Sequence, residues 1–347
     1  MRFQADRPTK HEIDEAPAPA FDMPPWTRRA NDPDATTRAA AFDALRRLVL
    51  IHGTILPWQA IDAGFRQNDS KIHLASQAEG IFSPRQMSTL LSIKTVLPRA
   101  GRKLWYRDQI GSPGLTQGDQ SLRYDFRGNN PDSRQNRLLR QAMELTLPII
   151  YFFGVAPALY EAVFPVFVTG CHGKELAVDL AVSLPNTHDD LFSYPSSAEE
   201  RRYSARLVRQ RLHQSMFRAK VLAAYGSRCA ISRLPVTSLV DAAHIIPDAD
   251  PELGHPDVRN GICLSRLHHA AFDNHLLGID PNYRIHAAKA ILTIQDGPLL
   301  EHLKQLHGQD LSPPNERSCW PDKERLAIRF ALFEKAQTVD LASCATD

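Results

Sequence analysis

The chain has 347 residues, and its 41 Lys and Arg residues against 39 Asp and Glu residues give a formal net charge of +2. Its hydrophobic fraction of 43% and charged fraction of 23% are those of a soluble globular protein, and its length predicts two or three domains. Taken as a whole, the charge gives no indication of a polyanionic partner.

Three features predict a cytoplasmic protein that does not enter a membrane. Residues 1–17 lack the apolar run of a secretory signal. The most apolar stretch, residues 145–168, contains three prolines and Glu161, which favours short buried strands over a membrane helix. The five cysteines are an odd number and lie far apart, which argues against a disulfide framework and for a reducing compartment.

The first part of the chain predicts an arm followed by helices. Residues 1–35 are rich in Pro, Asp and Arg without periodicity, and we expect a flexible arm. Residues 36–70 are predicted to be a helical lead-in, because apolar residues recur at helical spacing in 37–50 and a short helical pattern at 58–65 ends near Gly64.

The next segment has the pattern of a sheet. Residues 71–183 alternate short β-like runs with Gly and Pro, and one helical pattern interrupts them at 133–144. This favours an α+β domain built around a mixed sheet. The polar residues 184–200, rich in Pro and Ser, are predicted to be a linker.

A strongly basic segment follows the predicted linker. Residues 201–228 contain eight Lys and Arg residues and no Asp or Glu, and their apolar spacing predicts a helix or a helix pair. Such a segment is either a solvated helix face or a surface for phosphate groups, and the absence of any anion favours phosphate contact. The candidate phosphate-binding residues are Arg206, Arg209, Arg211, Arg218 and Lys220.

Residues 241–285 contain the pattern most typical of a chemical site. A strand-like run ends at His244, a loop leads to Asn260, and a helix-like run then carries His269 and Asp273. Because His269 and Asp273 are four residues apart, a helix places them on the same side. An imidazole and a carboxylate on one face are suitable ligands for a divalent cation.

At these residues the sequence resembles the HNH nuclease family. The resemblance consists of the order His244, Asn260 and His269, the nine-residue step between the last two, and Asp273 one helical turn later. The resemblance covers about residues 218–290, and the sequence that flanks the matched residues looks like that of the restriction-type branch of the family. The family's fold has two antiparallel strands and a helix around one metal ion (the ββα-metal fold), so we expect such a domain within residues 201–300, followed by a helical extension over 301–347.

The resemblance implies a role for each matched residue. His244 would be the general base that activates water, and Asn260 would hold the hairpin loop and orient it. His269 and Asp273 would bind one Mg²⁺ or Mn²⁺ ion at the scissile phosphate. The resemblance therefore implies a metal-dependent endonuclease acting on double-stranded DNA.

The sequence departs from the family pattern in two places. Where many members have a further metal ligand, this chain has Ala243; Asp241 lies on the same strand face and is either a ligand or solvated. Many members also carry two cysteine knuckles. Because Ser is a poor zinc ligand, we do not expect a structural zinc ion at the matching positions, which are Cys229, Ser232, Ser265 and His268.

The β-rich domain loosely resembles the SRA and PUA-like modules that read modified bases. Such modules flip a base into a pocket, stack it on aromatic rings and read its edge with polar groups. The pocket candidates are Tyr106, Asp108 and Tyr124, although aromatic residues that alternate along strands also form ordinary core pairs.

The combined prediction is a restriction endonuclease specific for DNA with methylated or otherwise modified cytosine. Because one HNH site cuts one strand, double-strand cleavage requires two protomers, and we expect a homodimer. Two alternatives remain open at this point: an HNH restriction or nicking enzyme for unmodified DNA, and a catalytically inactive DNA-binding module.

Overall fold

The computed structural model describes most of the chain. The described ranges are 32–97, 122–183, 194–250, 252–295 and 297–343. Most of the predicted arm, the first ten residues of the predicted linker, and the pocket candidates Tyr106 and Asp108 lie outside these ranges.

The described chain contains strands and helices in both halves. The strands are β1 (Ile55–Pro57), β2 (Phe65–Gln67), β3 (Ser70–Ile72), β4 (Ile81–Phe82), β5 (Ser92–Thr95), β6 (Leu122–Asp125), β7 (Ile149–Ala156), β8 (Leu159–His172), β9 (Ala177–Val182), β10 (Val240–His244), β11 (Gly261–Ser265), β12 (Leu277–Ile279) and β13 (Ile285–Ala287). The helices are α1 (Ala35–His52), α2 (Trp58–Ala63), α3 (Arg134–Glu144), α4 (Ala198–Ala224), α5 (Arg266–Asp273), α6 (Lys289–Thr293), α7 (Pro298–Gln305) and α8 (Lys323–Ser343).

Within the described residues, a mixed seven-stranded sheet organises the N-terminal half. Its order is β4-β5-β7-β8-β9-β6, with β1 paired to β8, and only the β5–β7 pair is parallel. The central strand β7 is apolar on both faces: Tyr151 and Phe153 belong to one core, and Ile150 and Phe152 belong to the other. The predicted α+β architecture with a mixed sheet is therefore confirmed.

Helices cover both faces of this sheet. Phe42 and Leu45 of α1 pack into the core that contains Phe152, while Leu139 of α3 and Leu212 of α4 pack into the opposite core. Residues 36–70 contribute more than helices, because β1 joins the large sheet and β2 pairs with β3. Strands of three residues are too short to show an alternating pattern, so the sequence did not predict them.

The basic segment forms one continuous helix of 27 residues, α4. Ser197 and Glu200 form a capping box at its N-terminus, which satisfies backbone N–H groups that lack intrahelical partners. One side of the helix packs on the sheet through Leu212 and Met216, and Phe217 with its neighbours packs into the C-terminal core. The two cores therefore share α4.

The C-terminal half is built on the β10–β11 hairpin, with α5 beside it. The hairpin β12–β13 and the helices α6, α7 and α8 complete its core. Helix α8 lies close against β12, since a Cβ atom on Gly278 would come within 2.6 Å of the Phe333 ring. No helix in the described part of the chain is both long and apolar enough to cross a membrane.

Candidate functional site

The site begins with a closed β-hairpin. His244, the last residue of β10, pairs directly with Gly261, the first residue of β11. The backbone N–H of Ile245 then donates to the carbonyl of Asn260 at 2.9 Å, which closes the base of the connecting loop. His244 therefore lies where the regular hairpin ends and the loop begins.

Asn260 ties this loop together. Its side chain is fully buried; Oδ1 accepts from the N–H of Ile246 at 2.9 Å, and Nδ2 donates to the carbonyls of Ile246 at 3.0 Å and His255 at 3.3 Å. A buried amide with these bonds fixes the chain immediately after His244. This geometry suits the loop-holding role that the family resemblance implies.

The His244 ring is held by packing. It stacks on Phe217 of α4, with ring centroids 3.9 Å apart and an angle of 17° between the planes. A Cβ atom on Gly261 would come within 2.8 Å of the Phe217 ring, so glycine at this position makes room for the stack. The His244 Nε2 is buried and has no hydrogen-bond partner among the described residues.

The surroundings of His244 favour its neutral form. Burial is the main cause that lowers its pKa, and the nearby His269 lowers it further, while Asp248 and Asp273 oppose the shift. A neutral imidazole can accept a proton, which is what a general base requires. Sequence reasoning missed Asp248, and it treated Phe217 only as an apolar residue of a helix.

The predicted metal ligands lie side by side on α5. His269 Nε2 is 3.2 Å from Asp273 Oδ2, as the four-residue spacing predicts. The helix begins after Ser265, whose hydroxyl accepts from the N–H of His268, and it ends at Asp273. Within the described chain, no three His, Cys, Asp or Glu side chains are placed to hold a metal ion together. His269 and Asp273 are the two candidate ligands at this position.

Asp241 does not join this pair. Its Oδ1 accepts from Nε of Arg218 at 2.8 Å, and Arg218 also donates to the carbonyl of Val240. Asp241 and His244 are three residues apart on one strand, so their side chains point to opposite faces. Two predicted site residues, one proposed for metal and one for phosphate, thus pair with each other.

Comparison with known proteins bears on this ββα arrangement. The HNH endonuclease family profile matches residues 229–280, which include β10, β11 and α5. Residues 229–280 are an HNH endonuclease domain. The match confirms the predicted family for this region, which is a family of endonucleases.

The other comparisons add little to the HNH match. No curated protein matches the chain. Among solved structures, one described as a modification-dependent TagI restriction endonuclease is 17% identical, with a TM-score of 0.26 over 82% of this chain and 88% of that one. Since a TM-score this low does not establish a common fold, nothing about the present chain follows from it.

The remnant of the cysteine knuckle in the HNH domain forms a buried contact. Cys229 Sγ lies 3.4 Å from Nδ1 of His268, and the N–H of Ser232 donates to the same sulfur. Burial raises the pKa of Cys229, but the hydrogen bonds from His268 and Ser232 outweigh it and bring the pKa to about 6. The thiol and the imidazole thus contact each other directly at this position.

The cations of α4 divide into two groups beside the HNH domain. Arg211 pairs with the fully buried Glu161 of β8 at 2.6 Å, and Arg218 pairs with Asp241 as described above. Arg206 and Lys220 are exposed. Arg209 and Lys220 both lower the pKa of His213, a residue of the same helix that is mainly affected by burial.

The cations near His213 lie close to the hairpin loop. Asp248, which acts on the pKa of His244, also raises that of His213. Arg209, Lys220 and Asp248 therefore all lie within electrostatic range of His213, where α4 passes the loop that follows His244.

A cleft of about 200 Å³ in the N-terminal domain is lined by residues of β4 and β5, at one end of the strand order, and of β6, at the other end. Of the pocket candidates, Tyr124 is the one described. This residue is only 4% exposed; its ring packs edge-on against Tyr151, and its hydroxyl donates to the carbonyl of Lys94. The polar side chains in its lining are those of Gln77, Glu79, Lys94, Thr95, Asp125 and Arg127.

Proposed function

We propose that the chain is a metal-dependent DNA endonuclease in which His244 is the general base. The observation that carries this proposal is the buried, unpartnered Nε2 of His244, which is close enough to His269 and Asp273 for both to act on its pKa. A buried imidazole nitrogen without a protein partner is costly unless a substrate or water uses it. In this proposal His244 takes the proton from the attacking water, and Asn260 keeps the loop behind it closed.

The pair His269 and Asp273 is suited to hold one divalent cation. Mg²⁺ and Mn²⁺ are commonly bound through one or two protein side chains, with water and substrate phosphate filling the remaining positions. An imidazole nitrogen and a carboxylate oxygen 3.2 Å apart fit that requirement. When bound, the cation neutralises charge that develops on the phosphate oxygens. Asp241 is left out of this ligand set because Arg218 holds it.

DNA would lie along the positive side of α4. Arg206, Arg209 and Lys220 are cations of this helix without an ion pair in the described chain, as are Arg201 and Arg202 near its N-terminus, and Arg209 and Lys220 lower the pKa of His213 near the hairpin loop. Phosphate contacts of this kind position the duplex without reading its sequence. Arg211 and Arg218 serve the packing of α4 instead.

The N-terminal domain would read the DNA, and we propose that it recognises modified cytosine as an SRA or PUA-like module does. The cleft beside β6 is a concave site lined by polar and charged side chains, among them Glu79, Asp125 and Arg127, which suit reading of the edge of a flipped base; the rings of Tyr124 and Phe126 are buried in the core. Tyr106 and Asp108 remain pocket candidates from the sequence. The biological role would be restriction of foreign DNA by a cytoplasmic homodimer.

Digestion of matched plasmids tests the nuclease and its specificity together. Wild-type protein with Mg²⁺ or Mn²⁺ should cut a cytosine-methylated plasmid and spare the unmethylated one, and EDTA should abolish cutting. His244→Ala should lose cutting while retaining DNA binding, whereas the exposed His255→Ala serves as the matched control. Equal cutting of both plasmids would contradict modification dependence but not the nuclease activity. Cutting by His244→Ala at the wild-type rate would contradict the assignment of His244 as the general base.

A second variant tests the cleft itself. Ala78 lines the cleft and is exposed, so Ala78→Trp fills the space without disturbing the core. We expect this variant to lose its preference for methylated plasmid, while Ala63→Trp, an exposed position on α2 away from the cleft, keeps it. An unchanged preference in Ala78→Trp would show that the cleft does not read the base.

A further inference from the structure

Arg329 of α8 reaches the end of the helix that carries the proposed metal ligands. Its side chain is 10% exposed, and Nη2 donates to the carbonyls of Phe272 at 3.0 Å and Asp273 at 3.4 Å. The guanidinium also lies 4.8 Å from the centroid of the Phe272 ring. Arg329 is outside residues 229–280, so neither the family match nor the sequence motif includes it.

The position of Arg329 is electrostatically favourable for α5. The last carbonyls of a helix lack intrahelical partners and carry the negative end of the helix dipole. A buried guanidinium that donates to two of them stabilises the final turn. Burial of the charge is costly and lowers the pKa of Arg329, which the nearby Asp273 carboxylate opposes. A cation kept there despite this cost indicates a specific task.

The two oxygens of Asp273 have different neighbours. Oδ1 lies 3.7 Å from Nη2 of Arg329, and Oδ2 lies 3.2 Å from Nε2 of His269. Asp273 is about half exposed, so without a partner for Oδ1 its carboxylate would be free to rotate. With Arg329 on one side, Oδ2 is turned toward His269.

We propose that Arg329 is a positioning residue that presets Asp273 for binding a divalent cation together with His269. This inference rests on the proposed metal site, and it makes the C-terminal helix α8 part of that site. Arg329 does not itself contact the cation. It fixes the backbone and the carboxylate rotation of a ligand, as groups behind metal ligands commonly do.

Titration of the protein with Mn²⁺ alone, followed by electron paramagnetic resonance, tests the inference without DNA or activity. Arg329→Met should weaken Mn²⁺ binding about tenfold, the lower end of the effect usual for residues that support metal ligands. Arg329→Lys should fall between Met and wild type, because lysine keeps the charge but lacks the planar fork. The exposed Lys335→Met, on the same helix, should bind as wild type does.

Two further variants separate the possible failures. Phe333→Leu loosens the packing of α8 on β12 without touching Asp273, and it should lower the melting temperature while leaving Mn²⁺ affinity unchanged. If Phe333→Leu weakens binding as much as Arg329→Met, or if both folded Arg329 variants bind as wild type, the positioning role is wrong. If Asp273→Asn binds Mn²⁺ like wild type, or wild type binds none, the metal site itself is wrong. If Arg329→Met does not fold, the Mn²⁺ affinity of Arg329→Lys relative to wild type tests the positioning role.

Discussion

The imidazole of His244 owes its orientation to neighbours that lie far from it in the sequence. Phe217 supplies the surface on which it stacks, and Gly261 leaves the space for that ring. A general base must be held within a fraction of an ångström of its working position, because small displacements cost large factors in rate. Phe217 is thus a positioning residue for the proposed base.

Replacing Phe217 by leucine should separate positioning from folding. Leucine keeps an apolar side chain in the core but removes the flat surface under His244. We expect kcat for plasmid cleavage to fall by about tenfold or more, with KM for DNA little changed. Phe152→Leu, an equally buried position in the N-terminal core, is the control and should affect stability only. Equal kcat values for the two variants would contradict the positioning role.

The pH dependence of cleavage should report the titration of His244. Its pKa is lowered by burial and by His269, and it is raised by Asp248 and Asp273. Because the base works in its neutral form, activity should be constant above that pKa and fall as the pH drops through it, at a pH below 6.5. Asp248→Asn removes one raising influence, so the fall should move to lower pH. A fall at or above 6.5, or one that Asp248→Asn leaves in place, would contradict the assignment.

At the scale of single residues, the sequence predicted what depends on local spacing. The four-residue step from His269 to Asp273 put both side chains on one helix face, and the structure brings them to 3.2 Å. Partners from distant elements were not predictable in this way. Arg218 engages Asp241, and Arg329 reaches Asp273, through packing that no local pattern encodes.

Among the elements, α4 connects the two halves of the described chain. Its tie to the sheet is the buried Glu161, which accepts hydrogen bonds from Arg211, from Ser215 at 2.9 Å and from Thr54 at 3.1 Å. A fully buried carboxylate needs such partners, since an unpaired charge in the interior is very costly. The sequence predicted that Arg211 contacts phosphate. We propose instead that Arg211 stabilises the buried carboxylate of Glu161.

Arg211→Met should therefore destabilise the protein rather than weaken DNA binding selectively. Arg211 is 45% exposed and Glu161 keeps its two hydroxyl partners, so we expect a loss of about 2 kcal/mol in the free energy of unfolding. Urea denaturation measures this, and Arg206→Met on the same helix should leave stability unchanged. Restoration of stability by Glu161→Gln in the Arg211→Met background would support the pair; equal stability of Arg211→Met and wild type would contradict it.

The exposed cations of α4 should show the opposite behaviour. Removing Arg206 and Lys220 together, as methionine variants, should weaken binding to all DNA sequences alike. The slope of log K against log salt should become shallower by about 0.9 for each phosphate that the double variant no longer neutralises. Lys335→Met, whose lysine lies on α8, is the matched control. An unchanged slope in the double variant would show that these two side chains do not meet phosphate.

For elements, the sequence was most informative where patterns are long. The helical spacing at 133–144 and the basic run both became helices, because many residues repeat the same signal. It was least informative for β1, whose three residues join the sheet through backbone bonds to β8. Pairing between strands that are about a hundred residues apart depends on tertiary packing.

At the scale of the whole molecule, the near-zero net charge conceals an uneven distribution. Residues 201–228 carry cations without acids, and the acids that neutralise them in the total lie elsewhere in the chain. Within this segment, the structure divides the cations further into those that hold α4 in place and those that face solvent. The division could not be read from composition, since Glu161 and Asp241 lie in other elements.

A mixing experiment tests the expected homodimer. Since one HNH site cuts one strand, wild-type protein alone should convert supercoiled plasmid to linear DNA. In excess His244→Ala, most wild-type chains would sit in mixed dimers with one working site, and nicked circles should accumulate. Analytical ultracentrifugation should show a species of twice the chain mass. If the mixture only slows linearisation, with no rise in nicked circles, cleavage does not depend on paired protomers.

Because both cores share α4, this helix also sets the distance between the N-terminal sheet and the HNH hairpin. A helix of 27 residues is about 40 Å long and stiff along its axis. Because the sheet and the β10–β11 hairpin both pack against this helix, neither can rotate freely relative to the other, unlike two domains joined by a flexible linker. In the proposed enzyme, α4 therefore fixes the distance between two points on the DNA. One is the nucleotide that the N-terminal domain reads, and the other is the bond that the HNH domain cuts.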